Sequence, residues 1–125
     1  MCTILLSIKP EYVEKLFAGS KKYEFRRRCC KKQVSKIVVY ATCPVMKVVG
    51  EMEVNRILEG SPTRLWEQTH EYAGISKDLF FRYFVGCTVA YGYEIGRTTR
   101  YDEAKDLSEY GVTSAPQSFV YLSEE

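Results

Sequence analysis

The sequence predicts an α+β fold in the form of a small mixed β-barrel, with about five to seven strands and about three helices over the barrel openings. Two observations support this prediction. The expected strands mostly follow one another without intervening helices, which disfavours a parallel α/β sheet. The chain has 125 residues, 46% of them apolar, and a chain of this length buries a core without disulfides or a structural metal. No repeat or linker-like segment divides it, so we expect a single domain over residues 1–125.

The N-terminal half is expected to form four strands and one helix. Residues 2–8 are a dense apolar run typical of a buried strand. A short helix follows, because Pro10 suits the first helical position and Gly19 suits the left-handed residue that ends a helix. Three further strands, rich in β-branched and aromatic residues, are expected at residues 21–30, 36–42 and 47–57.

The C-terminal half is expected to add two helices and two strands. Ser61 and Ser76 each stand where an N-cap precedes a helix, the first ending near residues 73–74 and the second at Gly86. A strand of alternating pattern, a turn or single helical turn, and a closing strand are then expected at residues 88–98, 104–111 and 118–122.

Charge is unevenly distributed along the chain. The formal net charge is +2, but residues 21–36 carry +7, with Glu24 as their single acid, and the remaining residues carry −5. A local basic stretch on an otherwise acidic chain favours an anionic partner such as RNA. The alternative interpretation is a solvated strand face rich in Lys and Arg.

The five cysteines and the single histidine do not form a metal-binding pattern. We therefore expect no metal and no other cofactor, and reduced thiols in a cytoplasmic protein. Redox sensing by Cys29 and Cys30 is the alternative, because neighbouring cations lower the pKa of a thiol. Adjacent strand residues point to opposite faces, however, so a disulfide between these two would be strained. The chain also has neither a secretory start nor the run of about 20 apolar residues that a membrane helix needs.

One segment carries a pattern with chemical meaning, Gly19-x-Lys21-x-x-Glu24-x-Arg26. Gly19 lets the chain turn with positive φ, and Lys21 supplies a mobile charge, or a base if it is desolvated. Glu24 and Arg26 are two residues apart on a strand and project from the same face. There Arg26 keeps Glu24 ionised and presents a planar fork to phosphate or a base edge. A structural ion-pair network at the barrel mouth is the alternative.

This pattern is similar to the signature of ASCH domains, relatives of the PUA fold. The segments at residues 6–12 and 116–119 also resemble the family. The resemblance implies a PUA-like barrel whose cleft binds RNA, and it also allows ribonuclease activity. Some small ASCH domains are amidohydrolases that act on N4-acetylcytidine through a Lys, a Thr and a Glu. Lys21 matches that Lys, but Glu24 stands at the Thr position, and a carboxylate cannot act as a hydroxyl nucleophile.

We therefore predict a domain that binds RNA or a modified nucleoside in a cationic cleft built on this motif. Two alternatives stay open. The first is a small hydrolase, of amidohydrolase or ribonuclease type, with Lys21 and Glu24 as its catalytic acid and base. The second is a protein-interaction domain whose basic stretch meets an acidic partner. Aromatic stacking and phosphate contacts complete the predicted ligand-binding set, which comprises Lys9, Lys21, Glu24, Arg26, Arg28, Tyr40 and Ser118.

Overall fold

A computed structural model describes residues 2–122. Within them the chain forms one six-stranded mixed sheet, three α-helices and two short 3-10 turns. The strands are β1 (Cys2–Ile8), β2 (Tyr23–Arg26), β3 (Val34–Ala41), β4 (Lys47–Gly60), β5 (Ala90–Lys105) and β6 (Phe119–Leu122). The helices are α1 (Pro10–Ala18), α2 (Pro62–Thr69) and α3 (Lys77–Tyr83), and the 3-10 turns are His70–Tyr72 and Leu107–Tyr110.

The sheet is curled, with the order β2-β5-β4-β3-β1-β6. β1 runs parallel to β3, and the other pairings are antiparallel. The curl brings β2 against β1, where the Nη2 of Arg26 donates to the carbonyl of Ser7 at 2.7 Å. Over the described residues no backbone ladder joins the edge strands β2 and β6. The predicted α+β fold is therefore confirmed, as a barrel-like sheet that stays open at one seam.

Local sequence signals locate the starts of α2 and α3 and the end of α1 well. The hydroxyls of Ser61 and Ser76 cap α2 and α3, each accepting from a backbone N–H at 3.2 Å. Gly19 ends α1 in the left-handed conformation with φ of 87°. The later ends fall short of expectation, because α2 passes into the 3-10 turn after Thr69 and α3 stops at Tyr83, before Gly86.

The ends of β2 and β5 differ most from the prediction, and in each case the extent of the partner strand is the reason. β2 stops at Arg26 instead of continuing to residue 30, because Arg26 pairs with Tyr91 and β5 begins one residue earlier, at Ala90. Residues 27–33 therefore form a bent connection. β5 runs past the expected end at residue 98, because β4 offers it partners as far as Lys105.

Three apolar clusters fill the interior. The largest lies between α1 and the sheet and includes Leu16, Met52 and Tyr93. The second joins α2 and α3 to β2 around Phe25 and Phe80. The third joins β1, β3 and β4 to residues of the C-terminal segment, among them Leu107 and Tyr110. None of the helices in residues 2–122 is long and apolar enough to cross a membrane.

Candidate functional site

A cavity of about 360 Å³ opens between β1, α1, β2 and α3. This volume falls within the range of small-ligand sites, roughly 300–1,000 Å³. Three of the four fixed motif positions line the cavity, and Gly19 lies outside it. The lining comprises Ser7, Ile8, Lys9, Tyr12, Lys21, Glu24, Phe25, Arg26, Ile75, Leu79, Arg82 and Tyr83.

An ion pair forms one wall of the cavity. The Nε and Nη2 atoms of Arg26 donate to Oε2 of Glu24 at 3.1 and 2.8 Å. The two side chains are only 15% and 8% exposed. The other oxygen of Glu24, Oε1, makes no hydrogen bond within the described residues. Since no fully buried side-chain polar atom among them lacks a partner, this oxygen keeps some exposure and can accept a hydrogen bond.

Lys21 is a buried cation, 3% exposed. Its Nζ donates to the carbonyl of Ala73 at 2.7 Å and lies 5.0 and 4.8 Å from the ring centroids of Tyr12 and Phe25. Burial lowers the pKa of Lys21 to about 8, against an opposing contribution from Glu24. Within residues 2–122 the ammonium forms no ion pair with a carboxylate. A lysine with such a pKa donates hydrogen bonds readily and can also transfer a proton near neutral pH.

Another part of the lining comes from α3 and the residues before it. Ile75, Leu79 and Tyr83 give this part an apolar surface, and Leu79 is 45% exposed. Cations surround the opening: Lys9 and Arg82 line the cavity, and the guanidinium of Arg27 lies 4.7 Å from the ring centroid of Tyr83. A lining that combines charged groups with apolar surface suits a planar ring with polar groups along one edge.

The structure gathers four of the seven predicted ligand-binding residues at this cavity: Lys9, Lys21, Glu24 and Arg26. It places the other three elsewhere. Arg28 is exposed on the 27–33 connection, Tyr40 is 5% exposed inside the third apolar cluster, and Ser118 is partly buried just before β6. These three do not line the cavity, and their contact with a ligand stays a prediction.

Sequence reasoning missed the residues that α1 and α3 contribute to the cavity. Tyr12, Leu79, Arg82 and Tyr83 belong to no motif of the sequence. The helical spacing of Leu79 with Arg82 and Tyr83 does place them on one face. What that face meets depends on how α3 docks, which local patterns do not reveal.

Cys29 and Cys30 belong to the bent connection at residues 27–33 and not to a strand. Their Sγ atoms approach the hydroxyl of Tyr93 to 3.7 and 3.6 Å. Burial raises the pKa of Cys29 to about 11. The expected lowering of its pKa by neighbouring cations is therefore wrong, because burial disfavours the charged thiolate.

Comparison with known proteins gives one family. The ASCH domain family model matches residues 6–117. The solved structure of ASCH from Zymomonas mobilis has a TM-score of 0.88 and 27% identity, covering 98% of this chain and 88% of that one. A single-residue variant of the Zymomonas mobilis protein has a TM-score of 0.89 and 26% identity, covering 99% and 92%.

Curated relatives are of two kinds. The ASCH domain-containing ribonuclease of Zymomonas mobilis is 29% identical over 127 residues, which cover 97% of this chain and 84% of the relative. The large ribosomal subunit protein uL22 and the ATP synthase subunit alpha of Ureaplasma parvum are each 31% identical over 121 residues, 96% of this chain. The chain spans only 39% and 15% of the length of these two Ureaplasma proteins.

Proposed function

The chain belongs to the ASCH domain family, and we propose that it is an RNA-binding member that takes one unpaired nucleotide into the cavity built on Lys21, Glu24 and Arg26. One observation carries this proposal: three nearly buried charged side chains line a single cavity of about 360 Å³. Buried charges are costly and uncommon away from functional sites. A nucleoside released from a modified RNA has the same recognition chemistry and is the related ligand we expect.

Hydrogen-bonding capacity inside the cavity supports recognition of a base. The ammonium of Lys21 uses one of its three donors on Ala73, and Oε1 of Glu24 is a free acceptor. A ligand edge that carries an acceptor beside an N–H donor can bridge the two groups. The Watson–Crick edges of nucleobases have this pattern, but they are accessible only when the base is unpaired.

The remaining cations support contacts to the RNA backbone. Arg28, Lys31 and Lys32 are exposed on the 27–33 connection, which directly follows the motif strand. Cations placed this way neutralise phosphates without reading the sequence, and their contribution decreases as salt increases. The cavity would then select the nucleotide, and this outer stretch would raise overall affinity.

Binding of a fluorescein-labelled single-stranded RNA, followed by anisotropy at several salt concentrations, tests the proposal. We expect Lys21→Met to weaken binding by about 10- to 100-fold, because it removes a desolvated charged hydrogen bond worth roughly 1.5–3 kcal/mol. Lys22→Met is the matched control: it makes the same charge change one residue away, where Nζ lies 4.2 Å from the ring centroid of Tyr72. Equal losses in the two variants would show that only bulk charge matters.

A ribonuclease is the second candidate, favoured by a lysine of pKa about 8 on the same cavity as a carboxylate. In this reaction the 2′-hydroxyl forms a bond to phosphorus and passes its proton to Glu24. The bond from phosphorus to the 5′-oxygen breaks, and that oxygen takes a proton from the Lys21 ammonium. Incubation of RNA with the purified chain tests this candidate. Fragments ending in 2′,3′-cyclic phosphate support it, and intact RNA counts against it.

A further inference from the structure

The connection between α2 and α3 accepts hydrogen bonds on three consecutive carbonyls, two of them from the motif segment and one from α1. The carbonyl of Tyr72 accepts from the backbone N–H of Lys22 at 2.9 Å, and that of Ala73 accepts from Nζ of Lys21 at 2.7 Å. The carbonyl of Gly74 accepts from Nζ of Lys15 at 3.2 Å. These carbonyls belong to one short stretch of backbone, so the positions of all three donors are set together.

The backbone of Gly74 packs against the Lys21 stem. Its φ of +66° is a conformation that residues with a side chain rarely adopt. A Cβ placed on Gly74 would lie 2.5 Å from both Cβ and Cγ of Lys21. The Lys21 stem therefore occupies the space that any side chain at position 74 would need.

We infer that Ala73 and Gly74 are positioning residues for Lys21: Gly74 leaves the space for its stem, and the Ala73 carbonyl fixes its ammonium beside the cavity. That Lys21 contacts RNA from this position rests on the proposed function, but the placement of its side chain does not. Burial of the Lys21 ammonium, with its lowered pKa, is the measurable consequence of correct placement.

Gly74→Ala tests this inference, with Gly111→Ala as its matched control. Gly111 has a similar φ of +72°, but a Cβ there meets no atom within 4 Å, so it introduces backbone strain without touching Lys21. The readout is the pKa of Lys21 from an NMR titration of its Cε carbon, together with RNA affinity. In Gly74→Ala we expect this pKa to move from about 8 toward its ordinary 10.5 and RNA affinity to fall about tenfold. In Gly111→Ala both stay at the wild-type values.

A folded Gly74→Ala protein in which Lys21 titrates as in the wild type would overturn the inference. If this variant does not fold, the wild-type protein decides the question. Hydrogen bonding to Ala73 predicts ammonium protons on Lys21 that exchange slowly with water. Rapid exchange together with an ordinary pKa of 10.5 would overturn the inference as well. If the wild type fails to bind RNA, the proposed function fails, while the titration still tests the placement of Lys21.

Discussion

Replacing Lys21 by Met should make the protein more stable at pH 7, by about 1–2 kcal/mol, while RNA binding weakens by about 10- to 100-fold. The pKa of Lys21 is lowered by burial to about 8 from 10.5, and such a shift corresponds to a cost of about 3 kcal/mol for keeping the buried ammonium charged. Met occupies much the same volume without that cost. Loss of the hydrogen bond to Ala73 offsets about 1–2 kcal/mol of the gain.

The pH dependence gives this prediction a definite sign. Below pH 8 Lys21 is protonated in both the folded and the unfolded chain, so the full cost is present. Between about 8 and 10.5 the unfolded chain binds more protons, so the stability of the wild type rises with pH. The advantage of Lys21→Met should therefore shrink over this interval and reverse above it, because the wild type by then gains the full amount of about 3 kcal/mol and keeps its hydrogen bond. Thermal unfolding of both proteins at pH 7 and pH 10.5 measures this, with Lys22→Met as the control. A variant less stable than the wild type at pH 7 would contradict the prediction.

Replacing Glu24 by Gln should have the opposite effect on stability, a loss of about 2–4 kcal/mol. The substitution leaves the guanidinium of Arg26, only 15% exposed, without its counter-charge. An uncompensated buried charge costs about 3–5 kcal/mol. The carbonyl of Ser7 and the new amide oxygen still accept from Arg26 and reduce that cost. Because Glu24 also supplies the acceptor in the cavity, we expect RNA affinity to fall in the same variant.

Glu53→Gln provides the matched control for this substitution. Glu53 also pairs with an arginine, Arg97, at 3.8 Å, but the two side chains are 56% and 83% exposed. Exposed ion pairs contribute about 0–1 kcal/mol. Urea denaturation of the two variants compares them directly. Similar losses of stability in the two variants would show that Glu24 and Arg26 do not form a desolvated ion pair.

Opposite stability changes for the substitutions at Lys21 and Glu24 would distinguish a binding site from a purely structural charge network. The hydrogen-bonded Glu24–Arg26 pair is needed for stability, because removing one partner leaves the other charge buried alone. A buried lysine without an ion pair lowers the stability of the fold. A destabilising residue at a cavity is typical of sites where function limits stability.

The sequence predicts helix starts well because they depend on local chemistry. The serine caps at Ser61 and Ser76 and the left-handed Gly19 each act within a few residues of chain. Strand ends are different, because they depend on where a distant partner stops. Nothing between Arg26 and Cys30 signals that β5 begins only at Ala90.

The residues of the candidate site fall into the same two groups, those that local sequence predicts and those that distant contacts place. Lys21, Glu24 and Arg26 are found from the sequence because they lie within one motif. Tyr40 was expected to be available for stacking, but the β3 face that carries it packs into the third apolar cluster. The close approach of Gly74 to Lys21 joins residues more than fifty positions apart, and only the packed structure reveals it.

Photo-crosslinking tests the central claim, that the cavity receives an unpaired nucleotide, most directly. A single-stranded RNA carrying one 4-thiouridine would be bound, irradiated and digested, and the modified residues identified by mass spectrometry. The account predicts crosslinks at the cavity aromatics Tyr12, Phe25 and Tyr83, and their loss when the thiouridine is paired in a duplex. Crosslinks confined to Tyr101 and Tyr110, which pack in the third apolar cluster, would contradict it.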